Sequence, residues 1–204
     1  MFTGIIQAKC EVLAITKRPG LWRFAMKFNQ SLRDELKHGA SVAHNGVCLT
    51  VAEQDDDAVY FDVMKETLDV TNLSCCAVGD VINIERSMRF GDEVGGHILS
   101  GHVQCTGKLI EREATAENSR LRFQCDAKWM KYIFPKGFAA IDGASLTIGK
   151  TGADWFEVYL IPETRLLTTL DSKALNSEYN IEIDSQTLAI VETVERVLAS
   201  RVSD

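Results

Sequence analysis

Four stretches of this chain distribute apolar side chains as strands do. Ala58-Val59-Tyr60-Phe61-Asp62-Val63-Met64 and Trp155-Phe156-Glu157-Val158-Tyr159-Leu160-Ile161 are rich in β-branched and aromatic residues. Val81-Ile82-Asn83-Ile84-Glu85 and Tyr179-Asn180-Ile181-Glu182-Ile183 alternate at period two, the pattern of a strand with one buried face. Between them, Ser31-Leu32-Arg33-Asp34-Glu35-Leu36-Lys37 opens on a capping residue and precedes Gly39, which predicts a short helix over 31–37. Ala127-Lys128-Trp129-Met130-Lys131-Tyr132-Ile133, ahead of Gly137, is its counterpart. The tail changes period: Ile190, Val191, Val194, Val197 and Leu198 fall on one helical face, with Glu192, Glu195, Arg196 and Ser200 on the rest. That stripe either packs on its own domain or is buried against another subunit.

The pattern repeats. Displaced by 97 positions, Gly46-Val47-Cys48-Leu49-Thr50-Val51 lies on Gly143-Ala144-Ser145-Leu146-Thr147-Ile148. At the same offset Glu66-Thr67 meets Glu163-Thr164, Asn83-Ile84-Glu85 meets Asn180-Ile181-Glu182, and Gly4 meets Gly101. A period this long exceeds the roughly 20–50 residues of solenoid repeats, so it implies two copies of a whole domain. The glycine-rich, charged stretch Arg89–Gly96 reads as the connection. About half a dozen short strands and a helix per copy fit a small closed barrel, which leaves no exposed sheet edge. The expected class is all-β: tandem duplicated six-stranded Greek-key barrels with short helices and a C-terminal amphipathic helix. The expected domains are 1–97, 98–187 and a tail over 188–204.

Composition narrows the function. Of 204 residues, 46% are apolar and 25% charged, ordinary for a globular chain, which excludes disordered and collagenous classes. Twenty-nine acidic against 22 basic residues argue against a nucleic-acid partner. Neither a membrane span nor a secretory signal is evident, so the expectation is a cytoplasmic protein whose six cysteines stay reduced.

Phosphate-cradling loops and the GxSxG elbow are missing, and His97 with His102 lacks a third metal ligand at a familiar spacing. No metal or cofactor is therefore expected. What remains is a duplicated polar set, read as strand residues: Thr50 with Thr147, Thr67 with Thr164, Glu66 with Glu163. Such groups suit a neutral, polyhydroxylated or heterocyclic ligand. More telling is where the copies disagree: Cys48 faces Ser145, His102 faces Ile5, Asp184 faces Ser87, and Ser41 falls near Phe138. Two like pockets holding two like molecules, with a thiol, an imidazole, a hydroxyl and a carboxylate in one copy each, is a set for proton transfer and nucleophilic addition.

At these residues the sequence resembles the riboflavin synthase family, trimeric enzymes built from two lumazine-binding barrels. The resemblance rests on Met1-Phe2-Thr3-Gly4-Ile5, Ser41-Val42-Ala43-His44-Asn45-Gly46-Val47-Cys48-Leu49-Thr50-Val51 and Met64-Lys65-Glu66-Thr67-Leu68. It continues through Gly95-Gly96-His97-Ile98-Leu99-Ser100-Gly101-His102, Ile141-Asp142-Gly143-Ala144-Ser145-Leu146-Thr147 and Asn180-Ile181-Glu182-Ile183-Asp184. It runs from Met1 to about Leu198.

The resemblance implies dismutation of two molecules of 6,7-dimethyl-8-ribityllumazine. A four-carbon unit passes from one to the other, giving riboflavin and 5-amino-6-(D-ribitylamino)uracil. It also implies a homotrimer clasped by the C-terminal helices, with the reaction between barrels of neighbouring subunits; association with lumazine synthase is left open. The implied N-terminal pocket comprises Gly4-Ile5-Ile6, Ser41, Cys48-Leu49-Thr50 and Asp62-Val63-Met64-Lys65-Glu66-Thr67. The implied C-terminal pocket comprises Gly101-His102-Val103, Lys136, Ser145-Leu146-Thr147 and Tyr159-Leu160-Ile161-Pro162-Glu163-Thr164. The implied catalytic set is Cys48, Ser41, His102 and Asp184, with Cys48 bonding covalently or only polarising. The rival class is a non-catalytic lumazine- or flavin-binding antenna protein, which should lack that reactive set.

Overall fold

The computed structural model describes residues 1–202. The first half contains β1 (Ala8–Arg18), β2 (Leu21–Met26), α1 (Gln30–Arg33), β3 (Ser41–His44), β4 (Val47–Gln54), β5 (Val59–Met64), α2 (Lys65–Val70) and β6 (Val81–Arg86). The second contains β7 (Cys105–Ala114), β8 (Ser119–Gln124), β9 (Phe138–Ile141), β10 (Ala144–Thr151), β11 (Trp155–Leu160), α3 (Pro162–Leu167), β12 (Glu178–Ile183) and the terminal α4 (Ser185–Val202). Each half closes into an antiparallel barrel, in the order β1-β2-β5-β4-β3-β6 and, equivalently, β7-β8-β11-β10-β9-β12. The meander β3-β4-β5 sits between β2 and β6, which is a Greek key.

Alternation along the strands builds each core. Val59, Phe61 and Val63 of β5 point inward with Phe24, Val42 and Ile84; Phe156, Val158 and Leu160 of β11 do so with Leu121, Phe123 and Ile181. Each such side chain contributes roughly 1.5–3 kcal/mol by leaving water. The duplication extends to irregularities. Register slips follow Val12 in β1 and Leu109 in β7, and follow Val51 in β4 and Ile148 in β10. Bulges at these matched points bend the strands enough to close a small barrel.

The short helices differ from expectation. The segment expected over 31–37 is one turn, Gln30–Arg33, because Asn29 rather than Ser31 is the cap: its Oδ1 accepts from the Leu32 N–H at 3.0 Å. Ala127–Tyr132 forms a 3-10 turn capped by Asp126. Glu66, Thr67, Glu163 and Thr164, expected on strands, lie on α2 and α3, where the chain coils after β5 and β11.

The tail is helical, and its stripe is divided. Leu188 and Val191 pack on the C-terminal core, Lys131 pairs with Glu195, and the Tyr132 hydroxyl donates to Glu192. Ile190, Val194, Val197 and Leu198 face solvent. No described helix is long and apolar enough to cross a membrane.

The barrels meet through reciprocal contacts, as two copies related by a near-twofold axis would. Asn83 Nδ2 donates to Asp142 O at 3.0 Å, and Asn180 Nδ2 donates to Asn45 O at 2.8 Å. The amides of Thr169 and Asn72 donate in turn to the Oδ1 atoms of Asn83 and Asn180, at 2.8 and 2.7 Å. At the centre the turns Asn45-Gly46 and Asp142-Gly143 touch. All four residues have positive φ, and a Cβ on Gly46 would lie 2.8 Å from the Gly143 nitrogen. Asn-Gly and Asp-Gly suit such primed hairpin turns because they tolerate left-handed backbone. The paired bonds leave few buried polar groups unsatisfied at the junction.

Candidate functional site

β4 and its partner β3 display one cluster on the outer face of the N-terminal barrel. Ser41 is in register with Thr50 and Ala43 with Cys48, so these four side chains share a face, while Val47, Leu49 and Val51 turn inward. Asp62 lies on the neighbouring β5. Its carboxylate accepts from Arg23 Nε and Nη2 at 2.7 and 2.8 Å, and that guanidinium holds its pKa below the usual carboxylate range. Beyond it Met64 is exposed, Lys65 pairs with Asp69 at 2.6 Å, and the Thr67 carbonyl accepts the Thr71 hydroxyl.

The segments over these faces are exchanged between barrels. The implied pockets group Gly4-Ile5-Ile6 with Cys48 and Gly101-His102-Val103 with Ser145; the structure crosses them. The Cys48 N–H donates to Gly101 O at 2.9 Å, and the Ser145 N–H donates to Gly4 O at 2.8 Å. Glycine is required at both crossings, since a Cβ on Gly101 or Gly4 would lie 2.5 Å from the Cβ of Cys48 or Ser145. The exchange follows from pairing of the leading segments: Phe2 and Leu99 bond each other in both directions, at 2.9 and 3.0 Å. Their side chains join Ala43 and Ala140 in a small apolar cluster against Cys48. His102, exposed, therefore follows directly on the residue that touches Cys48.

The matching face of the C-terminal barrel carries Ser145 and Thr147 on β10, with Phe138 on β9 in register with Thr147. His97 stacks on Phe138 at 5.4 Å, and its Nδ1 lies 2.6 Å from Ser145 Oγ. Burial pushes the His97 pKa down, and the charge of Asp184 opposes that shift. Asp184 also caps α4, accepting from the Thr187 N–H and hydroxyl at 2.9 and 2.7 Å. Lys136 stands exposed in the turn before β9, and Tyr159 donates to Glu157 at 3.2 Å. Ile161 is exposed after β11, and Pro162 starts α3.

The four reactive groups are thus split. Ser41, Cys48 and the His102 segment gather on the N-terminal barrel, while Asp184 lies with His97 and Ser145 on the C-terminal one. His97 is the residue that spacing missed. Its partner is 48 positions away, and only the fold brings imidazole and hydroxyl together. The glycines before it, Gly95 and Gly96, were the available signal. Among the described residues no group of three or more His, Cys, Asp or Glu side chains is placed to hold a metal.

Comparison with known proteins agrees with this geometry. The lumazine binding domain family matches twice, over residues 3–87 and 100–184. The riboflavin synthase of Escherichia coli (strain K12) is 48% identical, over 98% of this chain and 95% of that protein. That of Buchnera aphidicola subsp. Schizaphis graminum is 44% identical over 100% and 98%, and that of Mycobacterium tuberculosis 38% over 98% and 99%. Crystal structures of LumP share the fold at 21–22% identity. The riboflavin complex has a TM-score of 0.85, and the 6,7-dimethyl-8-(1'-D-ribityl) lumazine complex 0.83; each covers 91% of this chain and 100% of the LumP chain. Two matched lumazine-binding domains and full-length relatives at this identity leave one assignment: the chain belongs to the riboflavin synthase family and is an enzyme of that family.

Proposed function

We propose that this chain dismutates two molecules of 6,7-dimethyl-8-ribityllumazine, one bound on each kind of barrel face. One gives up a four-carbon unit to yield 5-amino-6-(D-ribitylamino)uracil, and the other becomes riboflavin. Donor and acceptor are the same compound, which accounts for two homologous faces with different reactive groups. The observation that carries this reading is the division of those groups: thiol and hydroxyl on one barrel, imidazole–hydroxyl pair and carboxylate on the other.

In this reading backbone groups of β4 and β10 bind the pyrimidinedione edge, and Thr50, Thr147 and Lys136 reach the ribityl chain or ring. Cys48, supported by Ser41, adds to or polarises the electrophilic ring carbon. His102 shuttles protons, and Asp184 orients or accepts them. The faces lie on opposite barrels, so the site is completed between the N-terminal barrel of one subunit and the C-terminal barrel of the next, in a cytoplasmic homotrimer. The exposed stripe of α4 supplies its clasp. Segments 1–97 and 98–187 are then the substrate-holding domains and 188–204 the assembly element. Holding two substrates in register supplies much of the acceleration. The antenna alternative is weaker, because LumP shares about a fifth of its residues with this chain and the reactive set is complete.

The test is incubation with dimethylribityllumazine alone, following riboflavin by absorbance. The wild-type chain forms product, and Cys48→Ala lowers kcat at least about tenfold with unfolding free energy unchanged. Stable, unreacted binding of the lumazine by the wild type would establish the antenna instead.

A further inference from the structure

Two carboxylates occupy matched positions of the duplication, Glu85 on β6 and Glu182 on β12, each 2% exposed. Glu85 accepts from the Thr3 N–H, the Thr3 hydroxyl and the Gly4 N–H at 2.7, 2.8 and 3.1 Å. Glu182 accepts from the Ser100 N–H, the Ser100 hydroxyl and the Gly101 N–H at 2.7, 2.8 and 3.1 Å. Burying a carboxylate is costly unless donors surround it, and bonds to a charged acceptor are stronger than neutral ones. Each carboxylate therefore anchors the segment that leads into its own barrel.

The anchored glycines act across the barrel boundary. Gly101, held by Glu182, presents its carbonyl to the Cys48 N–H. Gly4, held by Glu85, presents its carbonyl to the Ser145 N–H. Both glycines lie too close to the opposite side chain for any Cβ, so a displacement of either segment reaches Cys48 or Ser145 without slack. We propose that Glu85 and Glu182 are crossed positioning residues: Glu182 of the C-terminal barrel sets Cys48 of the N-terminal barrel, and Glu85 sets the Ser145–His97 pair. The catalytic value of the arrangement rests on the reaction proposed above, but its geometry does not.

The experiment uses full-length Glu182→Gln and Glu85→Gln. Alkylation of Cys48 by iodoacetamide is followed by peptide mass spectrometry, with the exposed Cys75 as control, and the His97 imidazole by NMR. In Glu182→Gln, Cys48 is uncovered and its alkylation quickens by about threefold or more, while Cys75 and the His97 resonances hold. In Glu85→Gln the His97 resonances move and Cys48 keeps its wild-type rate. Should the Gln variants fail to fold, Ser100→Ala and Thr3→Ala each remove one donor and give the same crossed pattern at smaller amplitude. An unchanged Cys48 rate in the Glu182 and Ser100 variants overturns the proposal, as does a Glu85 variant that moves Cys48 equally. The crossed pattern in a chain that forms no riboflavin supports the positioning roles and removes only the reaction.

Discussion

His44 shows how far one buried side chain can govern stability. It lies on β3, 1% exposed, with its ring 4.1 Å from that of Phe61 and Nδ1 3.2 Å from Val42 O; Nε2 is buried without a hydrogen-bond partner. Burial holds its pKa down to about 3 against an ordinary 6.5. Between those values the unfolded chain binds the proton and the folded chain does not, so stability present above pH 6.5 is lost as pH falls toward 3. The contribution is at most about 1.4 kcal/mol per pH unit. Urea unfolding from pH 7 to 4 should show that slope reduced in His44→Gln relative to wild type; equal slopes would assign the acid sensitivity to other groups. At this scale the sequence singled out Cys48 and His102 as positions where the copies disagree, and the fold brings the His102 segment to Cys48 through the Gly101 carbonyl. The setting of His44 and His97 was not legible, because burial and ring or hydroxyl partners brought in by the fold determine it, and spacing records neither.

Elements were legible in proportion to how strictly they alternate. Strands expected over 58–64 and 81–85 appear as Val59–Met64 and Val81–Arg86, and the barrel interior selects period two in both. In β6 the opposite face, Asn83 and Glu85, is buried as well, against the other barrel and the leading segment. The short helices over 31–37 and 127–133 were legible in place but not in extent or type, appearing as Gln30–Arg33 and a 3-10 turn at Ala127–Tyr132. Helices α2 and α3 were missed, since one or two turns carry too few positions to establish a period. Of the two readings of the tail, packing on its own barrel holds for part of the stripe. α4 spends Leu188 and Val191 on its own barrel and leaves Ile190, Val194, Val197 and Leu198 outward. Four apolar residues on one exposed helical face form the patch that the proposed trimer would bury. If α4 clasps the proposed trimer, truncation after Gln186 converts it to monomers in sedimentation velocity while the barrels keep their far-UV signature. A trimer that survives the truncation would move the interface to the barrels themselves.

For the whole molecule, duplication solves one problem and creates another. In the proposed reaction two like faces bind two like substrates, yet within a chain Cys48 and Asp184 sit on different barrels, so a single copy would present half of each complement. A closed trimer restores the pairing if each N-terminal face meets the C-terminal face of the next subunit. Mixing then distinguishes the arrangements. Cys48→Ala and Asp184→Asn homotrimers are both impaired, the first at every N-terminal face and the second at every C-terminal one. If the reacting faces belong to different subunits, each mixed trimer recovers one intact pair in three. Random co-assembly of equal amounts then returns up to about a quarter of wild-type riboflavin formation. If the faces belong to one subunit, every pair keeps one lesion and co-assembly returns nothing beyond the two parents. Co-refolding with separable tags, followed by assay of the doubly tagged fraction, measures this directly. The return there rises to about a third, because only mixed trimers remain. Wild-type-like unfolding of both parents ensures that any recovery reflects shared chemistry rather than rescued folding.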